Sequence, residues 1–318
     1  MSTAWVFPGQ GSQTVGMGRD LYARSRAARA VFDEADAVLG LSITRLCFEG
    51  SEGELTATEN AQPALLTMSI ALLRALEEAR GEPLPAPSAV AGHSLGEFSA
   101  LVAGGALDFA TALRLVRRRG ELMAEAQEGS MAAVIGMSDG DLDQVCREVR
   151  DSLATHPEAL NTVVVANYNA PDQLVISGSA LAVEHAGLLA KVRGAKRVVP
   201  LKVSAAFHSP LMVHAAAGMA RTIETAAIKA LRVPLIANVT AKPLVTPDDV
   251  RREAVDQVTS PVRWIASVQH MAHDGVAAFL EFGPGKVLTG LIKRIVPHAR
   301  LVNISNADDV RAFNVENS

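Results

Sequence analysis

The chain has 318 residues, of which 49% are hydrophobic and 20% charged, enough for one large or two moderate domains; wholesale disorder and collagen are excluded. Thirty Lys and Arg against 34 Asp and Glu leave a net charge of -4, and aromatics are only 4%. Nucleic-acid and anionic-membrane binding over the whole surface are therefore not expected, nor is a base-stacking platform. No stretch approaches the ~18 apolar residues of a membrane span. Met1 to Gly11 has no basic region and reads as a strand and turn, not a leader. Cys47 and Cys146 form no CxxC pair or metal cluster, so a reducing compartment is expected.

In chain order, Trp5-Val6-Phe7 is a short apolar strand that breaks at Pro8-Gly9. Apolar spacing predicts a helix over about 20 to 39 and another from Gln62 to Ala79. A proline-rich connection, Gly81 to Pro87, leads to the strand Ala89-Val90-Ala91. From about 130 to 203 the order is strand, helix, strand, strand, helix, strand. Its pieces are Met131–Ile135, Asp139–Leu153, Thr162–Asn167, Leu174–Ser177, Ala180–Val192 and Lys196–Val203, with a turn at Asn169 to Asp172. That is the order of a ferredoxin-like unit. Alternation then resumes. Helices are predicted over Met212–Ala230, after Pro247, and over Val262–Met271 and Val287–Ile295, with strands at Leu235–Ala237 and Ala277–Phe282. The last dozen residues are polar and read as frayed. The expected fold is α/β: a large domain with a parallel central sheet, 1–129 and 204–318, and an inserted ferredoxin-like domain, 130–203.

Several motifs fail. Gly9-Gln10-Gly11 lacks the third glycine of a dinucleotide fingerprint, because Thr14 stands there. Gly283-Pro284-Gly285-Lys286 has the wrong spacing for a phosphate loop. The eight histidines include no HExxH pair, and no metal site is expected.

Gly92-His93-Ser94-Leu95-Gly96 is the strongest local signal. It follows an apolar strand and precedes a helix-like run, the context in which G-x-S-x-G lifts a nucleophilic serine off a sheet edge. A hydroxyl needs a base. Of the histidines at 208, 214, 270, 273 and 298, His208 stands out where a strand gives way to a helix. No acidic partner for it is obvious, and a backbone carbonyl is the alternative. Arg119 falls on the apolar side of the helix from Ala110 to Ala126, so it requires an anion: either an internal glutamate such as Glu97 or a substrate carboxylate. The backbone N–H of Gln10, with that of Leu95 after the serine, is a candidate oxyanion hole.

The chain resembles the malonyl-CoA:acyl-carrier-protein transacylases of type II fatty acid synthesis. The resemblance rests on Phe7-Pro8-Gly9-Gln10-Gly11-Ser12-Gln13, Gln62-Pro63-Ala64, the run from Gly92 to Leu101, Arg119-Gly120, Asn167-Tyr168-Asn169, Phe207 to Met212, Gln257 to Trp264, and Glu281 to Gly285. These occur in order from residue 5 to about 305. The resemblance implies an α/β-hydrolase-like large domain with a ferredoxin-like small one. It implies that Ser94 carries the acyl group, that His208 is its base, and that the main-chain carbonyl of Gln257 orients His208. Arg119 would bind the malonyl carboxylate, and Gln10 and Leu95 would supply the oxyanion N–H groups. Phe207-His208-Ser209 looks like the malonyl-selective form, which makes Phe207 a selectivity residue. The implied reaction moves malonyl from malonyl-CoA, as substrate and with no bound cofactor, to a holo acyl carrier protein by a ping-pong cycle. The implied protein is a cytoplasmic monomer that binds neither nucleic acid nor membrane. The transacylase of a malonate decarboxylase, or a free-standing polyketide synthase acyltransferase, shares this chemistry. A thioester hydrolase and a non-catalytic carrier-binding module are rivals of other classes. Arg251, Arg252, Lys286, Lys293 and Arg294 are candidates for carrier docking, or else ordinary solvated helix faces.

Overall fold

A computed structural model describes residues 2–126, 129–155, 157–203 and 205–316. Its strands, in chain order, are β1 (Thr3–Phe7), β2 (Ala89–Gly92), β3 (Ser130–Ile135), β4 (Val163–Ala170), β5 (Gln173–Gly178), β6 (Arg197–Pro200), β7 (Leu235–Ile236), β8 (Pro243–Leu244), β9 (Ala278–Phe282) and β10 (Arg300–Ile304). They form two sheets. The larger has the order β10-β9-β1-β2-β7-β8 and the smaller β4-β5-β3-β6.

The strands from β10 to β7 in the larger sheet are parallel, and only β8 runs antiparallel, at the edge. β1 and β9 are buried at nearly every position, as expected for strands covered on both faces. Helix Thr58–Arg80 packs against this domain and is buried on almost every side from Ala61 to Leu76, which its near-continuous apolar sequence allows. Pro63 sits in its first turns and cannot donate to the Glu59 carbonyl; the Arg117 guanidinium donates there instead, at 3.0 Å.

The smaller sheet is antiparallel, with helices Asp139–Ser152 and Ala180–Val192 packed on it. Its strand order and its helices at those two positions make it ferredoxin-like. A second core of Val134, Leu142, Val145, Val163, Leu174 and Ile176 lies under those helices. The free edge of β4 is covered by the large domain. Tyr168 donates its N–H to the Val262 carbonyl at 2.9 Å, and Val262 donates to Ala166 at 2.8 Å. The two domains thus share a short piece of parallel ladder.

Several boundaries differ from the sequence reading. The helix expected over 20 to 39 is two, Arg19–Arg24 and Arg26–Leu39. Ser25 is extended between them, and its hydroxyl caps the second by accepting from Ala28 N–H. The helix expected to reach Ala230 stops at Glu224, and the one expected from Val262 starts at Trp264. Strand β4 runs through Asn169 and Ala170, leaving Pro171-Asp172 as the turn. Of the last dozen residues, read as frayed, Ala307–Glu316 form a docked helix, and 317 and 318 lie outside the described residues. Ala307 donates its N–H to Asp20 at 2.7 Å, Asp309 accepts from Ser305 N–H and Oγ–H, and Val310 is buried. Ala307 and Val310 are the helix's buried apolar residues, and tertiary packing of this kind orders a helix that its sequence alone would not. Among the described residues, no helix is long and apolar enough to cross a membrane.

Candidate active site

Strand register places the site. Phe7 lies opposite Gly92 in the parallel β1–β2 pair, so the turns that follow both strands emerge side by side. They touch: a Cβ at Gly96 would sit 2.0 Å from the Phe7 carbonyl oxygen, and one at Gly92 would sit 1.9 Å from the Gly96 carbonyl carbon. Neither position can carry a side chain, which is the physical content of the two glycines in G-x-S-x-G.

The serine between them is held under strain. Three non-glycine residues among those described have a left-handed φ: Ser94 at 51°, His208 at 57° and Ala241 at 54°. Such a backbone costs about 1–3 kcal/mol per residue, and it persists only where the surroundings enforce it. Two of the three meet each other. Ser94 Oγ is 2.8 Å from His208 Nε2.

The imidazole's other nitrogen fixes its tautomer. His208 Nδ1 lies 2.8 Å from the Gln257 carbonyl oxygen and 3.2 Å from that of Ser260. Carbonyls only accept, so Nδ1 carries the proton and Nε2 is left bare to accept from the serine. Burial, then the nearby Arg119 charge, push the imidazole down to about 3, so it is neutral at ordinary pH. A hydroxyl facing a bare imidazole nitrogen can lose its proton as it attacks.

Arg119 completes the cluster. It is 1% exposed, on helix Phe109–Glu125. That helix approaches helix Thr58–Arg80 closely because Gly120 has no side chain; a Cβ there would lie 2.7 Å from Glu59 Cα. The approach sets Arg119 beside Gln62, whose Oε1 accepts from Nη1 at 2.8 Å. Nη2 donates to Gln257 Oε1 at 2.8 Å and to Ser94 Oγ at 3.1 Å. Burial lowers the guanidinium to about 10, while the Glu97 charge opposes the shift. The guanidinium remains a cation, held by neutral amides, with no carboxylate in direct contact among the described residues. Glu97, the internal partner considered from sequence, reaches it only through Gln257, whose Nε2 donates to Glu97 Oε2.

A cavity of about 310 Å³ opens onto this cluster. Gln10, Ser94, Leu95, Arg119, Phe207 and His208 all line it, with Met123, Met131 and Leu201 among the apolar residues of its wall. Among the described residues, no acceptor takes the backbone N–H of Gln10 or of Leu95. A charge developing in the cavity would find free donors from two adjoining turns. His93 also lines the cavity, but its Nε2 is engaged 2.7 Å from Asn169 Oδ1 and its ring lies beside Trp264.

A family model described as "Acyl transferase domain" matches residues 4–311. A malonyl CoA-acyl carrier protein transacylase of Bacillus subtilis is 46% identical over 310 residues, covering 96% of this chain and 94% of that one. The chain belongs to the malonyl CoA-acyl carrier protein transacylase family. A malonyl-transacylase solved in complex with its type II PKS acyl-carrier protein superimposes with a TM-score of 0.92 at 40% identity, each chain fully covered. An acyl carrier protein S-malonyltransferase from Vibrio cholerae gives a TM-score of 0.92 at 40% identity, with 98% of this chain and 100% of that one covered.

For this transacylase-family chain, sequence reasoning missed three site residues. Gln62 is quoted in a motif, but its contact with Arg119 crosses between helices. Asn238 was not singled out; its Oδ1 accepts from Ser94 N–H at 2.7 Å, and its Nδ2 donates to the Gly92 carbonyl at 2.6 Å. Glu253 accepts from Val239 N–H at 2.9 Å beneath the same turn. Gln62 and Asn238 show locally only as polar residues among apolar neighbours, and Glu253 lies in a charged run that gives no local signal. Of the docking candidates, Arg251 and Arg252 pair with Asp248 and Asp249 on their own helix, and Arg294 pairs with Asp172 of the small domain. No ion pair is seen for Lys286 or Lys293 among the described residues. Cys47 and Cys146 are free, buried thiols that burial pushes up to about 12. The described residues contain no cluster able to hold a metal ion.

Proposed function

We propose that this chain transfers a malonyl group from malonyl-CoA to the phosphopantetheine thiol of an acyl carrier protein through a malonyl-serine at Ser94. The observation that carries the reading is one hydroxyl with two neighbours: Ser94 Oγ lies 2.8 Å from a neutral imidazole and 3.1 Å from a buried guanidinium. A nucleophile, its base and a cation suited to a carboxylated acyl group share one cavity.

His208 Nε2 takes the Ser94 proton as Oγ bonds to the thioester carbonyl carbon. The oxyanion rests on the N–H groups of Gln10 and Leu95. Collapse breaks the C–S bond, and His208 returns the proton to the CoA sulfur. The carrier thiol then enters, gives its proton to His208 and attacks the acyl-serine. Breaking the C–O bond returns the proton to Ser94, so neither half-reaction consumes a further reactant. The Gln257 carbonyl holds the imidazole in the required tautomer. Arg119 binds the malonyl carboxylate, fixing the acyl pose, and Phe207 narrows the cavity against a branch on the acyl group. We assign residues 1–129 and 204–318 to the catalytic domain and 130–203 to the small one. Two buried, unpaired thiols accord with work in the cytoplasm.

The test is brief incubation with malonyl-CoA, without acceptor, read by intact mass. A single malonyl adduct that is absent from Ser94→Ala and is discharged by holo carrier protein is the expected result. Free malonate without an adduct would point to hydrolysis, and no adduct with no turnover would overturn the reading.

A further inference from the structure

Beneath the nucleophile turn lies a buried carboxyl group that the reaction cycle does not use. Glu97 is 2% exposed, three residues after Ser94, on helix Gly96–Ala103. Both of its oxygens are engaged. Oε1 accepts from the Asn238 backbone N–H at 2.9 Å and from Asn238 Nδ2 at 3.1 Å. Oε2 accepts from Gln257 Nε2. Each of those partners touches the reacting groups. Asn238 Oδ1 holds the Ser94 N–H, and Gln257 offers Oε1 to Arg119 and its main-chain carbonyl to His208.

We propose that Glu97 is a positioning residue for acyl selection: it fixes the Gln257 side-chain amide so that its oxygen, not its nitrogen, faces Arg119, and ties that amide to the serine turn through Asn238. The inference rests on the transfer reading above and deepens it.

An amide is nearly symmetric in shape and opposite in polarity at its two ends, so its neighbours decide which end points where. On the far side from Arg119, Gln257 Nε2 faces two acceptors, Glu97 Oε2 and the Ser94 carbonyl, the latter at 3.1 Å. With the nitrogen committed there, the oxygen must face the guanidinium. Turned over, the amide would present N–H to N–H at buried Arg119 and oxygen to oxygen at the Ser94 carbonyl. The arrangement has a second consequence. Glu97 orients the clamp without touching Arg119, so the guanidinium is gripped by the neutral oxygens of Gln62 and Gln257. A carboxylate in direct contact would satisfy the cation internally and compete with an incoming malonyl carboxylate.

Two substitutions test this. In Glu97→Gln the new amide oxygen can still serve Asn238, but its NH2 then confronts Gln257 Nε2, and one amide must turn. Glu97→Asp keeps the carboxyl group but is one methylene too short to reach both Asn238 and Gln257. The measurement is the rate of acyl-serine formation with malonyl-CoA and with acetyl-CoA, alongside melting temperature. In both variants the malonyl-to-acetyl ratio of kcat/KM should fall by about tenfold or more, the effect of spoiling one hydrogen bond to a buried charge. The fall should come mainly through KM for malonyl-CoA. Glu97→Asp supplies the result if Glu97→Gln does not fold. A lowered melting temperature with an unchanged ratio would mean that Glu97 only supports the fold, and would overturn the inference alone. A wild-type protein that forms no malonyl adduct would overturn the transfer reading, and this inference with it.

Discussion

His208 combines three constraints in one residue: a left-handed backbone, a carbonyl-fixed tautomer and near-complete burial. Burial has a consequence that pH can test. The folded imidazole is held near 3 against 6.5 when unfolded, so between these values the unfolded chain binds the extra proton. Stability therefore rises with pH across that window, and this contribution is lost as pH falls from 6.5 towards 3. The base form persists through the same window. The rate of Ser94 acylation should thus stay level from about pH 8 down to about pH 5, where an unperturbed histidine would already have lost most of its activity. A rate that halves near pH 6.5 would contradict the buried, neutral imidazole. Arg119 gives a second expectation at this scale. Arg119→Ala should cost malonyl transfer about 10- to 100-fold in kcat/KM, as befits charged hydrogen bonds of about 1.5–3 kcal/mol, and should cost acetyl transfer far less. Comparing the two acyl-CoAs in one assay checks it.

At the scale of elements, function depends on two turns that cannot tolerate a side chain. Gly96→Ala would place a methyl group 2.0 Å from the Phe7 carbonyl, with backbone on both sides. The β1 turn and the serine turn would have to separate, parting the N–H of Gln10 from that of Leu95. The expected outcome is a loss of about 3 kcal/mol or more in stability and near-complete loss of acylation, read by chemical denaturation and intact mass. The glycines were visible in the sequence because G-x-S-x-G has a steric reason. The helix break at Ser25 and the docked helix Ala307–Glu316 were not. Ser25 looks like any polar residue on a helix face until its hydroxyl is seen capping the second helix. The last helix is ordered by Asp20 and by packing from distant chain, neither of which leaves a local periodic signal.

The whole molecule joins two domains where the edge of β4 pairs with the Val262 segment, and the cavity takes residues from both. Met131 and Asn167 come from the small domain, Ser94 and His208 from the large. Arg294 bridges the two, reaching Asp172 at 2.8 Å and Gln173 at 2.6 Å while about a third exposed. Removing it should matter little: Arg294→Ala is expected to lower stability by less than ~1 kcal/mol, with a smaller difference in high salt, and to leave Ser94 acylation unchanged. A larger loss, measured by thermal unfolding at two ionic strengths, would show that the domains depend on this pair more than on their shared ladder.

The alternation of strands and helices, the serine turn and the place of Arg119 on an apolar helix face are all legible in the sequence. Each follows from short-range spacing, which a chain carries wherever it lies. Only the tertiary structure decided what meets what. Register set the β1 turn beside the serine. Gly120 let two helices close until Arg119 reached Gln62. Gln257 came round to serve His208 with its backbone and Arg119 with its side chain. Glu97 ended two bonds from the guanidinium instead of against it. Such contacts join residues up to 163 positions apart, as between Gln257 and Ser94, and hydrogen-bond geometry at that separation exists only once the core has packed.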